Sequence, residues 1–384
     1  MNILYDYQAF MMQTHGGVSK CFAELIAHLP PYISYQVGIK ESNNLYLKDK
    51  KLVPNLQSCK LTLNNFLVPF SFKGKGTIFN WINQKYPQFP SSININKNYC
   101  IELIKSQKFD IFHPTFFDLY YLDYIGKKPF VLTVHDMTPE LFPQYYPSNY
   151  YQIKNKKILA DKATHIIAVS EQTKKDLIDF LQIPEKKITV IYHGAPDIIE
   201  KQNRPIVTGN YILYIGNREA YKNFNKFIYS FAQILKTRPS LQLVCTGKPF
   251  NNKERTLFSK LQITDNIIHL FTNDFQLNNL YQHALAFIYP SLYEGFGIPI
   301  LEAYANNCPV LLNKKSCFPE IAQDAAMYFL LDEQHNTFIE TMNTFLDNYS
   351  EFRSDLINKG KKQLQKFSWE TSAKQLANVY ENII

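Results

Sequence analysis

Short apolar runs alternate with longer stretches of helical period along most of this chain, and that alternation restricts the fold more than any other feature. The runs are residues 3–5, 109–112, 130–134, 165–169 and 188–192 in the first half, then 211–215, 241–245, 267–270, 286–289 and 310–312. Strands that read as apolar throughout are covered on both faces, which happens when helical crossovers join parallel neighbours. The chain therefore reads as α/β. Helices are expected at 18–29, 223–236, 253–261, 276–284 and 298–306, and from Ser368, a capping residue, to the end. Gln202-Asn203-Arg204-Pro205 interrupts the pattern with a polar, strand-ending segment. The 384 residues thus divide into two units of ordinary domain size, 1–204 and 205–366, and a terminal segment 367–384.

No apolar run approaches the ~20 residues that span a bilayer. Met1-Asn2-Ile3-Leu4-Tyr5-Asp6 lacks the basic start and unbroken apolar core of a signal peptide, so a cytoplasmic protein is expected. Cys21, Cys59, Cys100, Cys245, Cys308 and Cys317 form no C-x-x-C pair, and no histidine cluster stands at ligand spacing. They read as reduced thiols, with no metal site. The net charge is +8, and lysines gather in the first half at 48–51, 73–75, 127–128 and 154–157. Most such charges are solvated surface; as a functional feature they suit a phosphate-bearing or lipid-linked acceptor. No nucleic-acid-binding motif accompanies them, so no nucleic-acid partner is expected. Residues 40–100 are rich in Asn and Lys, with Phe66, Phe70, Phe72, Phe79 and Trp81 around Lys73 and Lys75. They read either as a partly mobile loop region or as an acceptor- or membrane-contact element, peripheral at the inner face.

The densest chemistry lies in Tyr289-Pro290-Ser291-Leu292-Tyr293-Glu294-Gly295-Phe296-Gly297-Ile298-Pro299-Ile300-Leu301-Glu302-Ala303. A strand ends, two glycines allow close backbone approach to a ligand, and a helix start offers free N–H groups to an anion. Glu294 stands at the mouth; Glu302 lies about two helical turns on and on nearly the same side. Either acid alone is an ordinary surface residue. Together they suit a molecule that carries both hydroxyls and phosphate, and a nucleotide sugar is such a molecule. No D-x-D pair occurs to recruit a metal to a diphosphate, so neutralisation falls to basic side chains and helix N-termini. Tyr214-Ile215-Gly216-Asn217-Arg218-Glu219-Ala220-Tyr221-Lys222-Asn223 supplies them after a strand, at the carboxyl edge where ligands bind in such sheets. Arg218 can fork onto phosphate oxygens and Lys222 adds a point charge. His15-Gly16-Gly17-Val18-Ser19-Lys20 follows the first strand, and Thr133-Val134-His135-Asp136 ends another with a histidine.

The run from Glu294 to Ala303 resembles the E-G-F-G-x-P-x-x-E-A signature of the retaining glycosyltransferases of family 4, also described as glycosyl transferases group 1. The resemblance implies a GT-B fold, in which two Rossmann-like domains face a cleft. Residues 1–204 would then bind acceptor and 205–366 the nucleotide-sugar donor, with the helix of 367–384 returning to brace the first domain. It implies Glu302 on the ribose, Arg218 and Lys222 on the diphosphate, and Glu294 with the Gly295-Phe296-Gly297 backbone on the sugar. Gly16 and Gly17 would approach the diphosphate from the opposite domain, and His135 would face the donor sugar, with Asp136 orienting its loop. Tyr221 stands where many members carry arginine, so that role passes to Arg218. Val169-Ser170-Glu171-Gln172-Thr173-Lys174, His193-Gly194 and Ser316-Cys317-Phe318-Pro319-Glu320 match lesser family elements; Asn307 and Gln323 depart from it where glycine is usual. The implied reaction is metal-independent, cofactor-free hexosyl transfer with retention, by front-face departure rather than through Glu294 as nucleophile. A glycan or lipid-linked oligosaccharide is the implied acceptor. Gly-Gly-Val-Ser with Gly-Asn-Arg-x-x-Tyr-Lys-Asn is similar to mannosyl- or rhamnosyl-type transferases of surface polysaccharide, which makes GDP-mannose the first expected donor and a UDP-hexose the second. A sugar-nucleotide epimerase of the same fold and a non-catalytic nucleotide-sugar-binding subunit are the alternatives.

Overall fold

The computed structural model describes residues 1–68, 73–147, 150–196, 200–218 and 220–384. Within them every strand-to-strand ladder is parallel. β1 (Asn2–Tyr5), β2 (Ser34–Val37) and β3 (Ile111–His113) lie in the order β2-β1-β3, and β4 (Val131–Val134), β5 (His165–Ala168) and β6 (Ile188–Val190) in the order β4-β5-β6. A parallel bridge between Phe112 and Phe130 joins the two ladders edge to edge. The second half forms one sheet from β7 (Tyr211–Tyr214), β8 (Gln242–Cys245), β9 (Ile267–His269), β10 (Ala286–Tyr289), β11 (Val310–Asn313) and β12 (Met327–Phe329), in the order β12-β11-β10-β7-β8-β9. That is a doubly wound order whose direction reverses between β7 and β10, and a crevice opens where strand order reverses.

The strands are short, and the central ones are buried along their whole length, which is why their sequences are apolar without alternation. Helix Phe224–Leu235 buries Phe224, Phe227, Ile228, Phe231, Ile234 and Leu235, a stripe at helical spacing laid on one face of the second sheet. The other face is covered by a separate apolar cluster containing Ile300, Leu301 and Tyr304. Helix Trp369–Glu381 leaves the second domain and packs Ala373, Leu376, Ala377 and Tyr380 into the core of the first. Tyr380 Oη lies 2.8 Å from Tyr5 Oη and 2.5 Å from His113 Nδ1, while His113 Nε2 lies 2.8 Å from Thr133 Oγ1. The returning helix is thereby tied into the first sheet by buried polar groups as well as by packing. It crosses at Gly194, where any Cβ would overlap Trp369.

Two strands, β2 and β12, were not expected. Both are edge strands with short, mixed faces, so their sequences carry little apolar signal. Residues 40–100 also carry helices: Leu45–Asp49 and Lys75–Lys85 lie there, and helix Ser92–Ser106 begins there. Phe66, Phe79 and Phe89 pack on one another with ring centroids 5.1–6.4 Å apart, which supplies a small local core. Phe70, Phe72 and Glu219 lie outside the described residues.

Candidate active site

The loops leaving β7 and β10 meet at the switch point of the second sheet. Leu292 N–H donates to Tyr221 O at 2.8 Å, which fixes one loop against the other. Lys222 Nζ then reaches both carboxylate oxygens of Glu294, at 2.6 and 2.8 Å, and both side chains are largely buried. The two residues expected on diphosphate and sugar are therefore partners of each other. Ser316 holds the same turn: its hydroxyl donates to Glu294 O at 2.7 Å and accepts from Glu294 N–H at 3.2 Å. Gly297, at φ +90°, caps helix Ile298–Ala305, so Glu294 precedes the helix instead of sharing a face with Glu302.

The Glu294–Gly297 loop also forms the seam with the first domain. At Gly295 a Cβ would fall inside the van der Waals envelope of the His135 carbonyl oxygen, so only glycine permits this approach. Ser170 Oγ donates to Gly295 O at 2.6 Å. Tyr293 Oη accepts from Met137 N–H at 3.1 Å and donates to Asp176 at 2.7 Å. Glu320 accepts from the N–H groups of Glu171 and Gln172, at 2.7 and 3.2 Å, and so caps a first-domain helix from the second domain.

His135 follows β4, where Asp136 Oδ1 accepts from Thr138 N–H at 2.9 Å and fixes the turn. The buried Lys156 ammonium donates to Asp136 O and to Glu140, both at 2.9 Å. Burial pulls the His135 imidazole down to about 4 and that of His193 to about 3, so both are neutral near pH 7. The His135 ring stacks 6.0 Å from His193, and its Nε2 is buried without a hydrogen-bond partner.

On the other side of the loop, Gly16 and Gly17 face the start of helix Ile298–Ala305; a methyl group at Gly17 would sit 3.5 Å from Ile298 Cδ1. Lys20 Nζ lies 3.8 Å from Glu302 across the domains, and Tyr281 Oη donates to Glu302 at 3.2 Å. Gly16, Gly17, Lys20, Ile298 and Glu302, with Tyr46, Leu277 and Asn278, line an interdomain cleft of about 530 Å³. Phe296 turns away from it, onto His193 with ring centroids 4.7 Å apart.

Arg218 is held by a separate set of acceptors. Its Nε donates to Glu254 at 2.7 Å and its Nη2 to the carbonyls of Lys248 and Pro249, while the guanidinium lies 4.7 Å from the Phe250 ring centroid. These acceptors lie on the loop after β8 and on the helix that follows; Nη1 is buried and unpaired. Lys20, Ser316 and Tyr293 stand in runs singled out in the sequence, but carried no role of their own there. Lys20 ends the Gly16-Gly17 run, and its charge one turn into that helix was the available signal. Cys21, His135 and His193, which stand at no ligand spacing in the sequence, bring one ligand atom each within 4.8 Å of one another. They come from three separate elements, so no spacing in the sequence could have revealed the cluster.

Two doubly wound domains that face a cleft, joined by a returning terminal helix, define the GT-B class. The solved structure of HepE from Anabaena in complex with UDP and glucose superposes with TM-score 0.72 at 16% identity, covering 100% of both chains. WaaG, a glycosyltransferase involved in lipopolysaccharide biosynthesis, gives TM-score 0.67 at 14% identity, covering 99% of both. The family model "Glycosyltransferase Family 4" matches residues 75–197, and "Glycosyl transferases group 1" matches 197–363. The chain belongs to this family of glycosyltransferases. Among its relatives, the O-antigen chain mannosyltransferase RfbU of Salmonella typhimurium is 28% identical over 58% of this chain and 63% of its own length. The O-antigen chain mannosyltransferase B of Escherichia coli is 27% identical over 65% and 70%. The match thus spans a little under two thirds of the first relative's length.

Proposed function

We propose that this enzyme moves a hexose, mannose first, from a nucleoside diphosphate sugar to a glycan or lipid-linked oligosaccharide in surface polysaccharide assembly, with retention and without a metal. The observation that carries the reading is the Lys222–Glu294 pair at the switch point of the second sheet, beside the Gly295–His135 contact. A cation and a carboxylate already adjacent can divide a nucleotide sugar between them: Lys222 takes the leaving diphosphate, Glu294 the sugar hydroxyls. The N-terminus of helix Ile298–Ala305 and the unpaired Arg218 Nη1 add to the diphosphate, with Gly16 and Gly17 closing from the other domain. Glu302, held by Tyr281 and Lys20, binds the ribose. The His135 carbonyl faces the developing positive charge at the anomeric carbon. The glycosidic C–O bond to diphosphate breaks on the face where the acceptor oxygen bonds, and the departing diphosphate oxygen takes the acceptor proton. GDP-mannose is the first donor, in keeping with the names of the mannosyltransferase relatives; the UDP complexes of HepE keep a UDP-hexose second.

The roles separate in measurement. Glu294→Ala is expected to lower transfer by about 10²- to 10³-fold while nucleotide affinity stays within a few-fold, whereas Glu302→Ala weakens nucleotide binding itself. Equal loss of binding and transfer in Glu294→Ala removes its assignment to the sugar. EDTA should not lower the rate, and NMR of the product should give the donor's anomeric configuration; inversion contradicts the mechanism.

The exposed faces of Ile78, Trp81 and Tyr86, beside Lys73, Lys75 and Lys85, fit peripheral contact with an anionic membrane where a lipid-linked acceptor resides. The protein should sediment with phosphatidylglycerol vesicles more than with phosphatidylcholine vesicles, and Trp81→Ala with Lys85→Glu should abolish the difference. Equal sedimentation with both lipids argues against the contact.

A further inference from the structure

We propose that Cys21, His135 and His193 form a binding site for a borderline-soft divalent cation, Zn2+ being the natural occupant. The three side chains converge from helix Gly17–Ala27, from the end of β4 and from the segment after β6, and one ligand atom of each lies within 4.8 Å of the others. Tetrahedral zinc, with metal–ligand bonds of about 2.0–2.3 Å, holds its ligands roughly 3.3–3.8 Å apart. Closing the site therefore needs side-chain shifts of about an ångström. None of the three has a hydrogen bond among the described residues, and His135 Nε2 is buried with no partner at all. Two buried metal-ligating side chains and a half-buried one, drawn together with no hydrogen bonds to one another or to other side chains, are unusual in a core, and a cation that accepts lone pairs from all three removes the deficit.

The donor set selects the ion. One thiol and two imidazoles match zinc or a neighbouring transition metal and reject magnesium and calcium, which take oxygen ligands. Binding breaks the Cys21 S–H bond, forms an S–metal bond and releases one proton to solvent. A fourth position is left for water or an added ligand. Phe296 of the second domain packs on His193 and covers the site, so an ion enters while the domains are parted.

The site has a functional consequence that rests on the proposed role of His135. An ion that captures this ring fixes the loop whose carbonyl abuts Gly295, and occupancy then inhibits transfer. The metal site itself stands independently of that role.

Cobalt(II) is the direct probe, because a thiolate–cobalt bond absorbs in the near ultraviolet and tetrahedral cobalt gives strong visible bands. Titrating the full chain should produce both signals at about one equivalent, and Zn2+ should erase them. Cys21→Ser should lose the charge-transfer band, and His193→Gln should weaken binding at least tenfold while retaining it; the two variants guard against one failing to fold. Absence of the bands in the wild type, or an unchanged band in Cys21→Ser, overturns the site. Zn2+ should also slow sugar transfer by the wild type and not by Cys21→Ser. Cobalt binding without zinc inhibition overturns the role of His135 and leaves the metal site intact.

Discussion

Gln323 sits at φ +47°, ψ −123°, a backbone region open to glycine and costly to any residue with a Cβ, by about 1–3 kcal/mol. Asn307, the other departure from the family's glycines, is at φ +54°, where asparagine is tolerated. The two departures therefore differ in kind. Gln323→Gly should stabilise the protein by about 1 kcal/mol once the greater freedom of glycine in the unfolded chain is offset. A urea midpoint that does not rise in the variant contradicts the strain. Single positions were legible where backbone geometry dictates identity, as at Gly295 and Gly297. Side-chain pairing was not: that Arg218 would be taken by Glu254 and two carbonyls, and Lys222 by Glu294, depends on loops distant in sequence.

Among the elements, legibility followed burial. β10 and β11, apolar and fully buried, stood out from composition alone, while the half-exposed edge strand β2 did not. Nor could periodicity show that His113 on β3 would clasp Tyr380 of the returning helix. Burial lowers the His113 pKa to about 3, so the folded core refuses a proton that the unfolded chain accepts near 6.5. Below that pH the unfolded state binds more protons, and stability falls as pH drops from about 6.5 towards 3. His135 and His193 act in the same direction. The buried Asp6, whose carboxyl is raised by desolvation, acts in the opposite direction above the ordinary carboxylate range. The histidines outnumber it, and each can contribute up to about 1.4 kcal/mol per pH unit. Urea unfolding should therefore show lower stability at pH 5 than at pH 7. A flat or rising profile towards pH 5 would mean these imidazoles are protonated in the fold.

At the scale of the molecule, the alternation of strands and helices implied two α/β units, and the E-G-F-G-x-P-x-x-E-A run indicated where a donor would lie. The closed seam was not readable, because it is made by groups from both domains: Gly295 on His135, Tyr293 on Asp176, and Glu320 on a helix start. This seam stands beside the cleft that Lys20 and Glu302 bridge, so donor binding and domain closure share residues. The most direct test of the account is a panel of GDP-, UDP- and dTDP-sugars, read by melting temperature and nucleoside diphosphate release together. One base class, GDP-mannose first, should add roughly 2.7 kcal/mol of stability at ~100 times its dissociation constant and be turned over, releasing its nucleoside diphosphate. If no nucleotide sugar raises the melting temperature and none is consumed, the Lys222–Glu294 site is not a donor site and the proposed transfer falls with it.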